Sequence, residues 1–109
     1  MTDMAFRWAH DSWDSQQGTI IKYDKVEHAL RGIAITIVAI VLGLQSPVML
    51  AAAFALVWEI KDGFMDYKHW GWWGGEGFSW RDLCADIVGA CTAYGATVLY
   101  ILLRMAETP

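Results

Sequence analysis

Three long apolar runs that contain no charged residue divide the chain, at residues 32–44, 47–58 and 87–103. At a rise of about 1.5 Å per residue in an α-helix, the third run nearly crosses a hydrocarbon core of about 30 Å. The first two runs are shorter, and each reaches spanning length only by including charged residues at one end. This pattern is typical of a small integral membrane protein.

A tight turn is predicted between the first two runs. In the pair Ser46-Pro47, the proline suits the first position of a helix, where its missing N–H costs little. We expect helices over about residues 23–45, from residue 47 to about 65 or 68, and from a cap at Ser79 to about 104. The predicted fold is therefore an all-α integral membrane bundle of three transmembrane helices, a tight hairpin plus a third span, over residues 23–106.

The head of the chain, residues 1–22, is predicted to be an interfacial or flexible segment. Residues 1–16 can form a short helix that places aromatic side chains among the lipid headgroups, and a disordered tail is the alternative. Acidic residues are scattered through the first 28 positions, which does not fit a cleavable signal with a basic start and an apolar stretch. We therefore expect the first span to direct insertion into the membrane.

Composition and charge agree with a membrane bundle. Hydrophobic residues make up 56% of the 109 residues and charged ones 18%, and 12 acidic residues against 8 Lys and Arg argue against nucleic acid as a partner. Seven of the Lys and Arg residues lie on the side of the N-terminus and the loop before the third span, and one lies on the other side. The positive-inside rule predicts a multi-pass protein with its N-terminus and this loop in the cytoplasm.

That loop, residues 69–77, is rich in tryptophan and glycine and cannot be helical throughout. Its glycines do not form a phosphate-binding loop, because no Lys-Ser or Lys-Thr pair follows them. Tryptophan is enriched where a membrane meets water. The residues predicted to anchor the protein at this interface are Trp58, Trp70, Trp72, Trp73 and Trp80.

The predicted hairpin also indicates which charged residues share a depth. Arg31 lies level with Asp62 and one helical turn from Glu59, which is about 18 Å from the turn. We expect an ion pair between Arg31 and Glu59, with a neutral, protonated Glu59 as the next alternative and a catalytic role as the last. At this distance from the turn, Glu59 lies inside the hydrocarbon layer under each of these alternatives.

On the third helix, Asp82 and Asp86 share a stripe with Gly89 and Ala93, a small-residue face that lets helices approach closely. We expect this face to pack on the hairpin or to contact a protein partner or a second copy of the chain. Ionisable groups inside a membrane are costly, so they indicate function or mutual pairing. The predicted polar cluster near one membrane face consists of Asp24, His28, Arg31, Glu59, Asp62, Asp66, Asp82 and Asp86.

Crowded carboxylates raise the possibility of a divalent cation, held by oxygen ligands and one histidine. The candidate metal ligands are His28, Glu59, Asp62 and Asp86. The alternative for His28 is a hydrogen bond to Asp24 or Asp66 at the helix end. Asp82 could simply cap the third helix beside Ser79.

Three motifs carry a resemblance to a known family. They are Asp24-Lys25-Val-Glu-His28, Trp58-Glu59-Ile-Lys-Asp62 and Phe78-Ser-Trp-Arg-Asp82-Leu-Cys-Ala-Asp86-Ile-Val-Gly89. In this order, over about residues 23–95, they resemble the VanZ-like and YfiM-like membrane proteins. The resemblance implies a cell-envelope protein, of a family associated with glycopeptide resistance, and it implies an architecture and a candidate site rather than a reaction.

Two main functional hypotheses follow. The first is a structural or accessory membrane subunit, or a partner-binding module, whose helices are held by the polar cluster. The second is a VanZ-like envelope protein with a divalent-metal or lipid-headgroup site that acts on a lipid-linked substrate. A proton or ion conduit through Glu59 ranks last, because three short helices make a poor pore. Whether the protein is an enzyme stays open, since no Ser/His/Asp or Cys/His nucleophile arrangement is evident.

Overall fold

The computed structural model describes residues 6–107, and most of these residues are helical. Four α-helices follow one another along the chain: α1 (Asp24–Val41), α2 (Pro47–Phe64), α3 (Tyr67–Trp70) and α4 (Trp80–Glu107). A short 3₁₀ turn, Gly71–Trp73, follows α3. Within residues 6–107 there is no β-strand, only two isolated β-bridges. The predicted all-α class is confirmed.

The turn between α1 and α2 forms where the sequence predicts it. Gly43 has a φ of 73°, and this left-handed residue ends α1 in a Schellman motif. Its N–H donates to the carbonyl of Ile40, and the N–H of Leu44 donates to that of Ala39, both at 3.0 Å. Pro47 is the first residue of α2. Because Gly43 stops the helix, α1 ends at residue 41 rather than at about 45.

Helix α4 runs in the same direction as α1 and packs closely against it. A Cβ atom built on Gly32 would lie 2.1 Å from the carbonyl oxygen of Asp86, and one on Gly89 would lie 2.0 Å from that of Ala29. The two backbones therefore meet directly, as small residues allow. Alanines complete the core: Ala39, Ala51, Ala55, Ala85, Ala90 and Ala93 are buried.

The head of the chain closes one end of the bundle. The backbone N–H of Arg7 donates to the carbonyl of Gly63 at 2.8 Å, and Arg7 and Ala9 exchange backbone hydrogen bonds with Phe78 at 2.9 Å. The ring of Phe6 packs against the rings of Phe64 and Phe78.

The interfacial helix expected over residues 1–16 is wrong for residues 6–16, none of which is helical. The physical reason is that Gly63 at the end of α2 and Phe78, the residue after the tryptophan-rich loop, supply backbone partners for Arg7 and Ala9. Residues 1–5 lie outside the described residues.

The polarity of the fold is inverted with respect to a soluble protein. Within residues 6–107, alanines are the only buried hydrophobic residues, and the largest fully buried side chains are Glu59, Thr36 and Asp86. Large apolar side chains on α1, α2 and α4 point outward instead; Val41, for example, is 77% exposed and Met49 is 69% exposed. The bundle thus holds its charge inside and presents its apolar surface outside.

By length and composition, one helix in the described part of the chain could cross a membrane, namely α4. Helices α1 and α2 have 18 residues each. The residues of α1 include four charged side chains and those of α2 include three, gathered at one end of each helix, whereas α4 contains an 18-residue apolar stretch with at most two. The all-helical fold with a candidate membrane-spanning helix is therefore observed, and the bundle of three transmembrane helices stays a prediction.

Candidate functional site

Charged side chains gather at the end of the bundle where α1 and α4 begin and α2 ends. This arrangement follows from the topology, because α1 and α4 run in parallel and α2 returns antiparallel between the turn and the loop. Ion pairs here join residues from all three helices and from the head of the chain. We call this group the ionic cluster. Its members are Asp11, Asp24, Lys25, His28, Arg31, Glu59, Lys61, Asp62, Arg81, Asp82 and Asp86.

Lys25 is the central cation of the ionic cluster and is only 8% exposed. Its Nζ atom lies 2.7 Å from Oδ2 of Asp11 and 3.0 Å from Oδ1 of Asp82, and it also pairs with the neighbouring Asp24. Asp24 accepts a further hydrogen bond from the Ser15 hydroxyl, at 2.8 Å. One ammonium group therefore joins the head of the chain, α1 and α4.

Asp11 is the one carboxylate of the ionic cluster that the sequence pattern does not predict. Besides Lys25, its carboxylate accepts a hydrogen bond from the Ser79 hydroxyl and lies 3.4 Å from Arg81. Burial raises the pKa of Asp11, but the hydrogen bonds from Lys25 and Ser79, together with the nearby positive charges, lower it by a larger amount. The pKa of Asp11 therefore lies below its ordinary value. Nothing in the sequence marks Asp11 beyond its charge, because its position depends on the path of an irregular segment.

Arg31 forms a two-point ion pair with Asp86 on α4. Its Nε donates to Oδ1 at 3.1 Å and its Nη2 donates to Oδ2 at 2.7 Å, and Asp86 is 1% exposed. The guanidinium group also lies over the rings of Phe54 and Trp58 on α2, at 5.6 and 5.4 Å from their centroids. The expected Arg31–Glu59 ion pair is therefore wrong. The close approach of α1 and α4 places Asp86, rather than Glu59, within reach.

His28 lies between the two aspartates of α4. Its Nε2 is 3.2 Å from Oδ2 of Asp82 and its Nδ1 is 3.0 Å from Oδ2 of Asp86. Nη2 of Arg31 is 2.8 Å from the same Nδ1, which can accept a hydrogen bond only when it carries no proton. The alternative partners expected for His28, Asp24 and Asp66, were wrong, because α4 packs on this face of α1.

Glu59 is fully buried and pairs with a backbone group rather than a cation. Its Oε1 accepts a hydrogen bond from the N–H of Ser79 at 2.9 Å, whereas its Oε2 has no hydrogen-bond partner among the described residues. Ser79 caps α4, since its hydroxyl accepts from the N–H of Asp82 at 3.1 Å. In a capping box the N–H of the cap residue is bound by a side chain of the same helix. Here Glu59 of α2 takes that role and thereby ties α2 to the start of α4.

Two other predicted residues differ in their position. Asp62 contacts Lys61, whose Nζ donates to the carbonyl of Trp73 at 2.7 Å, and Asp62 lies at the ionic cluster. Asp66 lies apart, because α2 ends at residue 64 and the helical register does not reach it. Its carboxylate caps α3 instead, accepting from the N–H of His69 at 2.9 Å.

The expected metal ligands do not all converge. Asp86 is bound by Arg31 and Asp62 contacts Lys61. His28 and Glu59 do come together, and Asp82 joins them: one ligand atom from each of these three residues lies within 4.8 Å of the others.

A polar cavity of about 150 Å³ adjoins the ionic cluster. Its walls include acidic residues from the head of the chain, α1, α2, the loop and α4, namely Asp11, Asp24, Glu27, Asp62, Glu76 and Asp82, together with His28 and Arg31. An apolar groove of about 490 Å³ lies between α1 and α2 and includes Leu30 and Phe54. The cavity and the groove share Glu27, His28 and Arg31 as wall residues. The polar cavity thus borders the apolar groove.

The five tryptophans expected at a membrane interface lie near the same end. Trp58 stacks on Phe54 and meets Trp73 edge to face, and Trp72 is 87% exposed. Lys61 sits over the Trp58 ring at 3.9 Å. Trp70 and Trp80 are exposed as well. The aromatic side chains therefore surround the ionic cluster, and their place in a lipid interface stays a prediction.

The small-residue face on α4 is already covered. Gly89 touches the backbone of α1 at Ala29, and Ala93 is buried. The expected packing of this face on the hairpin is therefore observed, because α1 covers it, and a contact of a partner or second copy through Gly89 and Ala93 stays a prediction.

Comparisons of the chain with protein-family models, with curated proteins and with solved structures found no significant match. The resemblance to VanZ-like and YfiM-like proteins rests on the three sequence motifs and stays a prediction. The functional proposals below rest on the geometry of the described residues.

Proposed function

We propose that this chain is a small multi-pass integral membrane protein whose ionic cluster holds three membrane helices together at one membrane face. In this role it serves as a structural or accessory membrane subunit, or as a module that binds a partner in the membrane. The observation that carries the proposal is the inverted polarity of the fold, with charges and alanines inside and large apolar side chains outside.

The exposed apolar surface is the first argument. Apolar surface in water costs about 25 cal/mol per Å², and soluble monomers rarely expose patches above a few hundred Å². Here large apolar side chains are exposed along the whole length of α1, α2 and α4. Less than a quarter of the apolar part of α4 is buried, unlike the core helix of a soluble protein. Lipid tails would cover this surface without cost.

The helix interfaces are the second argument. Without a hydrophobic force between helices in lipid, membrane bundles rely on small residues that let backbones approach and on polar contacts between helices. Both occur between α1 and α4, at Gly32 and Gly89 and at the Arg31–Asp86 pair. Helices of 18 residues are about 27 Å long. That length is close to the thickness of the hydrocarbon core, with the charged ends of the helices at the membrane–water interface.

The orientation proposed is the one that the basic residues predict, with the ionic cluster and the tryptophan-rich loop on the cytoplasmic side. Residue 46 and the end of α4 would then face the opposite side.

Membrane extraction and cysteine labelling test this proposal. We expect the protein to stay in the membrane pellet after alkaline carbonate treatment. With Cys84 and Cys91 replaced by alanine, a cysteine at Ser46→Cys and one at Lys68→Cys should react with an impermeant maleimide from opposite sides of the membrane. Release by carbonate, or labelling of both positions from one side, would contradict the multi-pass arrangement.

A second candidate function is suggested by the polar cavity and the apolar groove. A polar cavity that borders an apolar groove between two membrane helices fits an amphipathic molecule, with its polar end among the acidic residues and a chain in the groove. This geometry supports the hypothesis of an envelope protein with a divalent-metal or lipid-headgroup site that acts on a lipid-linked substrate, while the VanZ-like resemblance itself rests on the three sequence motifs.

Lipid retention tests the second candidate. Native mass spectrometry of the detergent-purified chain should show one retained lipid. Phe54→Ala, which removes a wall of the groove, should reduce its retention, whereas Leu102→Ala on the exposed face of α4 should not. Equal retention in both variants would show that the groove is not the binding place.

A further inference from the structure

The strongest unexplained group in the molecule is the Glu59 carboxylate. It is fully buried; one oxygen accepts the Ser79 N–H, and the other, Oε2, has no hydrogen-bond partner among residues 6–107. A buried carboxylate is costly unless it is neutral or bound by a cation. None of the ion pairs in the described part of the chain reaches Glu59.

The surroundings of Glu59 suit a metal ion. His28 and Asp82 each offer a ligand atom, and these atoms and one from Glu59 all lie within 4.8 Å of one another. Nε2 of His28 and Oδ2 of Asp82 are 3.2 Å apart. Two ligands on a tetrahedral ion with bonds of about 2.0–2.1 Å are separated by about 3.3 Å. The histidine and the aspartate are therefore already spaced as two ligands of one ion, and Glu59 is within a small shift of them.

Contacts to neighbouring groups hold His28 and Glu59 in place. Nδ1 of His28 faces the Asp86–Arg31 pair, which turns Nε2 towards Asp82. The N–H of Ser79 fixes one oxygen of Glu59 and leaves the other free. Metal-binding histidines and carboxylates in proteins are oriented by such outer contacts.

The local charge also favours an added cation. Six carboxylates meet in the ionic cluster, and in the part of the chain that the structure describes only four Lys and Arg side chains form ion pairs with them: Lys25, Arg31, Lys61 and Arg81. His28 and Asp82 also line the polar cavity, so that an ion beside them could be reached from it. Crowded carboxylates in excess of cations are stabilised by a bound metal.

We propose that His28, Glu59 and Asp82 bind one divalent cation where α1, α2 and α4 meet. One imidazole nitrogen and two carboxylate oxygens, without a thiolate, favour Zn²⁺ or Mn²⁺ over soft ions such as Cu⁺. Three protein ligands leave a coordination position for water or for a ligand in the cavity. The proposal deepens the second candidate function, whose cavity these residues line, and it does not depend on the orientation of the helices in a membrane.

Calorimetric titration of the full chain tests the site. The detergent-purified protein, stripped with a chelator and dialysed, is titrated with ZnCl₂, MnCl₂ or MgCl₂, and its thermal unfolding is followed in parallel. We expect one equivalent of Zn²⁺ or Mn²⁺ to bind, weaker binding of Mg²⁺, and a higher midpoint of unfolding with the bound ion.

Two variants and a matched control locate the ion. Glu59→Gln keeps an oxygen that can accept the Ser79 N–H but loses the charge, and we expect it to weaken binding by about 100-fold or more. His28→Gln provides the same test from α1 if the first variant folds poorly. Glu76→Gln removes a carboxylate from the wall of the same cavity, and its affinity should stay within about twofold of the wild type.

Other results would overturn the proposal. No heat of binding with any of the three ions would do so. Equal loss of affinity in Glu59→Gln and Glu76→Gln would also do so, because it would show a diffuse ion atmosphere in an acidic cavity. So would a Glu59→Gln variant that is more stable than the wild type with or without metal, since Glu59 would then be a neutral acid. Lipid retention by the stripped protein is measured separately, so failure of the metal site is distinguishable from failure of the second candidate function.

Discussion

The two ends of the bundle are held together by different chemistry. At one end, the ionic cluster joins α1, α2, α4 and the head of the chain through hydrogen bonds and ion pairs, several of them buried. Towards the other end, the same helices meet through buried alanines such as Ala39 and Ala51, and larger apolar side chains point outward.

This difference shows where the fold is specified. Alanine contacts bring helices close but tolerate small rotations, because they are not directional. The ionic cluster is directional, because each carboxylate has particular donors at hydrogen-bond distance and a lost partner leaves a buried charge. We therefore expect the ionic end to be sensitive to single substitutions and the alanine end to be sensitive only to bulk or charge.

The largest effect is expected from Arg31→Ala. It leaves Asp86, which is 1% exposed, without its two-point partner, and breaking a buried pair costs about 3–5 kcal/mol. The free energy of unfolding in detergent measures the loss. Arg104→Ala, near the other end of α4, is the matched control and should cost less than about 1 kcal/mol.

The double variant Arg31→Ala with Asp86→Ala sharpens this test. If the pair is coupled, the double variant should lose less stability than the sum of the two single variants. Strictly additive losses would show that the pair does not act as a unit.

The next largest effect is expected from Val57→Lys, on the outer face of α2. This side chain is 66% exposed, and in the proposed membrane arrangement its place ten residues from the turn puts it about 15 Å into the bilayer. A lysine at the centre of a bilayer costs about 2.5–3.5 kcal/mol, whereas an exposed substitution in a water-soluble protein stays within about 0.5 kcal/mol.

The measurement for Val57→Lys is the fraction of protein inserted in membranes, with Val57→Leu as the apolar control. Normal insertion of the lysine variant would argue that this outer face of α2 does not meet lipid.

A smaller effect is expected from Gly89→Ala. The added methyl group would meet the backbone of Ala29, so α1 and α4 must separate, and overpacking of this kind costs about 1–3 kcal/mol. Gly95→Ala is the matched control on the same helix, because a Cβ there has no neighbour within 4 Å. Alanine is a better helix former than glycine by up to about 1 kcal/mol, so the control should unfold at a higher temperature than the wild type. Equal effects in the two variants would contradict the close helix contact.

The smallest effect is expected from acid. The pKa of Asp11 is lowered below its ordinary value of 3.8 in the folded protein, so its contribution is fully present above about pH 4 and is lost as pH falls through the folded pKa. Unfolding curves between pH 7 and pH 3 should show this loss only at the acidic end.

Asp11→Asn should flatten that acidic slope. Asp14→Asn is the matched control, because among residues 6–107 Asp14 bonds only to the nearby Ser12 hydroxyl, and it should keep the wild-type slope. If Asp11→Asn kept the acidic slope of the wild type, Asp11 would not anchor the head of the chain.

The sequence alone determined the elements with local causes. Apolar runs predicted helices, Ser46-Pro47 predicted the turn and Ser79 predicted the cap of α4, because helical spacing, the fixed φ of proline and a hydroxyl beside free N–H groups act within a few residues. It also predicted that charges collect at one end of the bundle, since a hairpin places the charged flanks of α1 and α2 together.

Only the tertiary structure decided which charges pair. Arg31 and Glu59 share a depth along the helices, but depth does not determine how α1 is rotated about its own axis. The contact of Gly32 with α4 sets this rotation and directs Arg31 to Asp86. Asp11 reaches Lys25 because an irregular segment bonds to the end of α2, and no local pattern encodes that path. Residue spacing specifies helices, but partners are chosen by helix rotation and by distant backbone groups, which act only when the chain is packed.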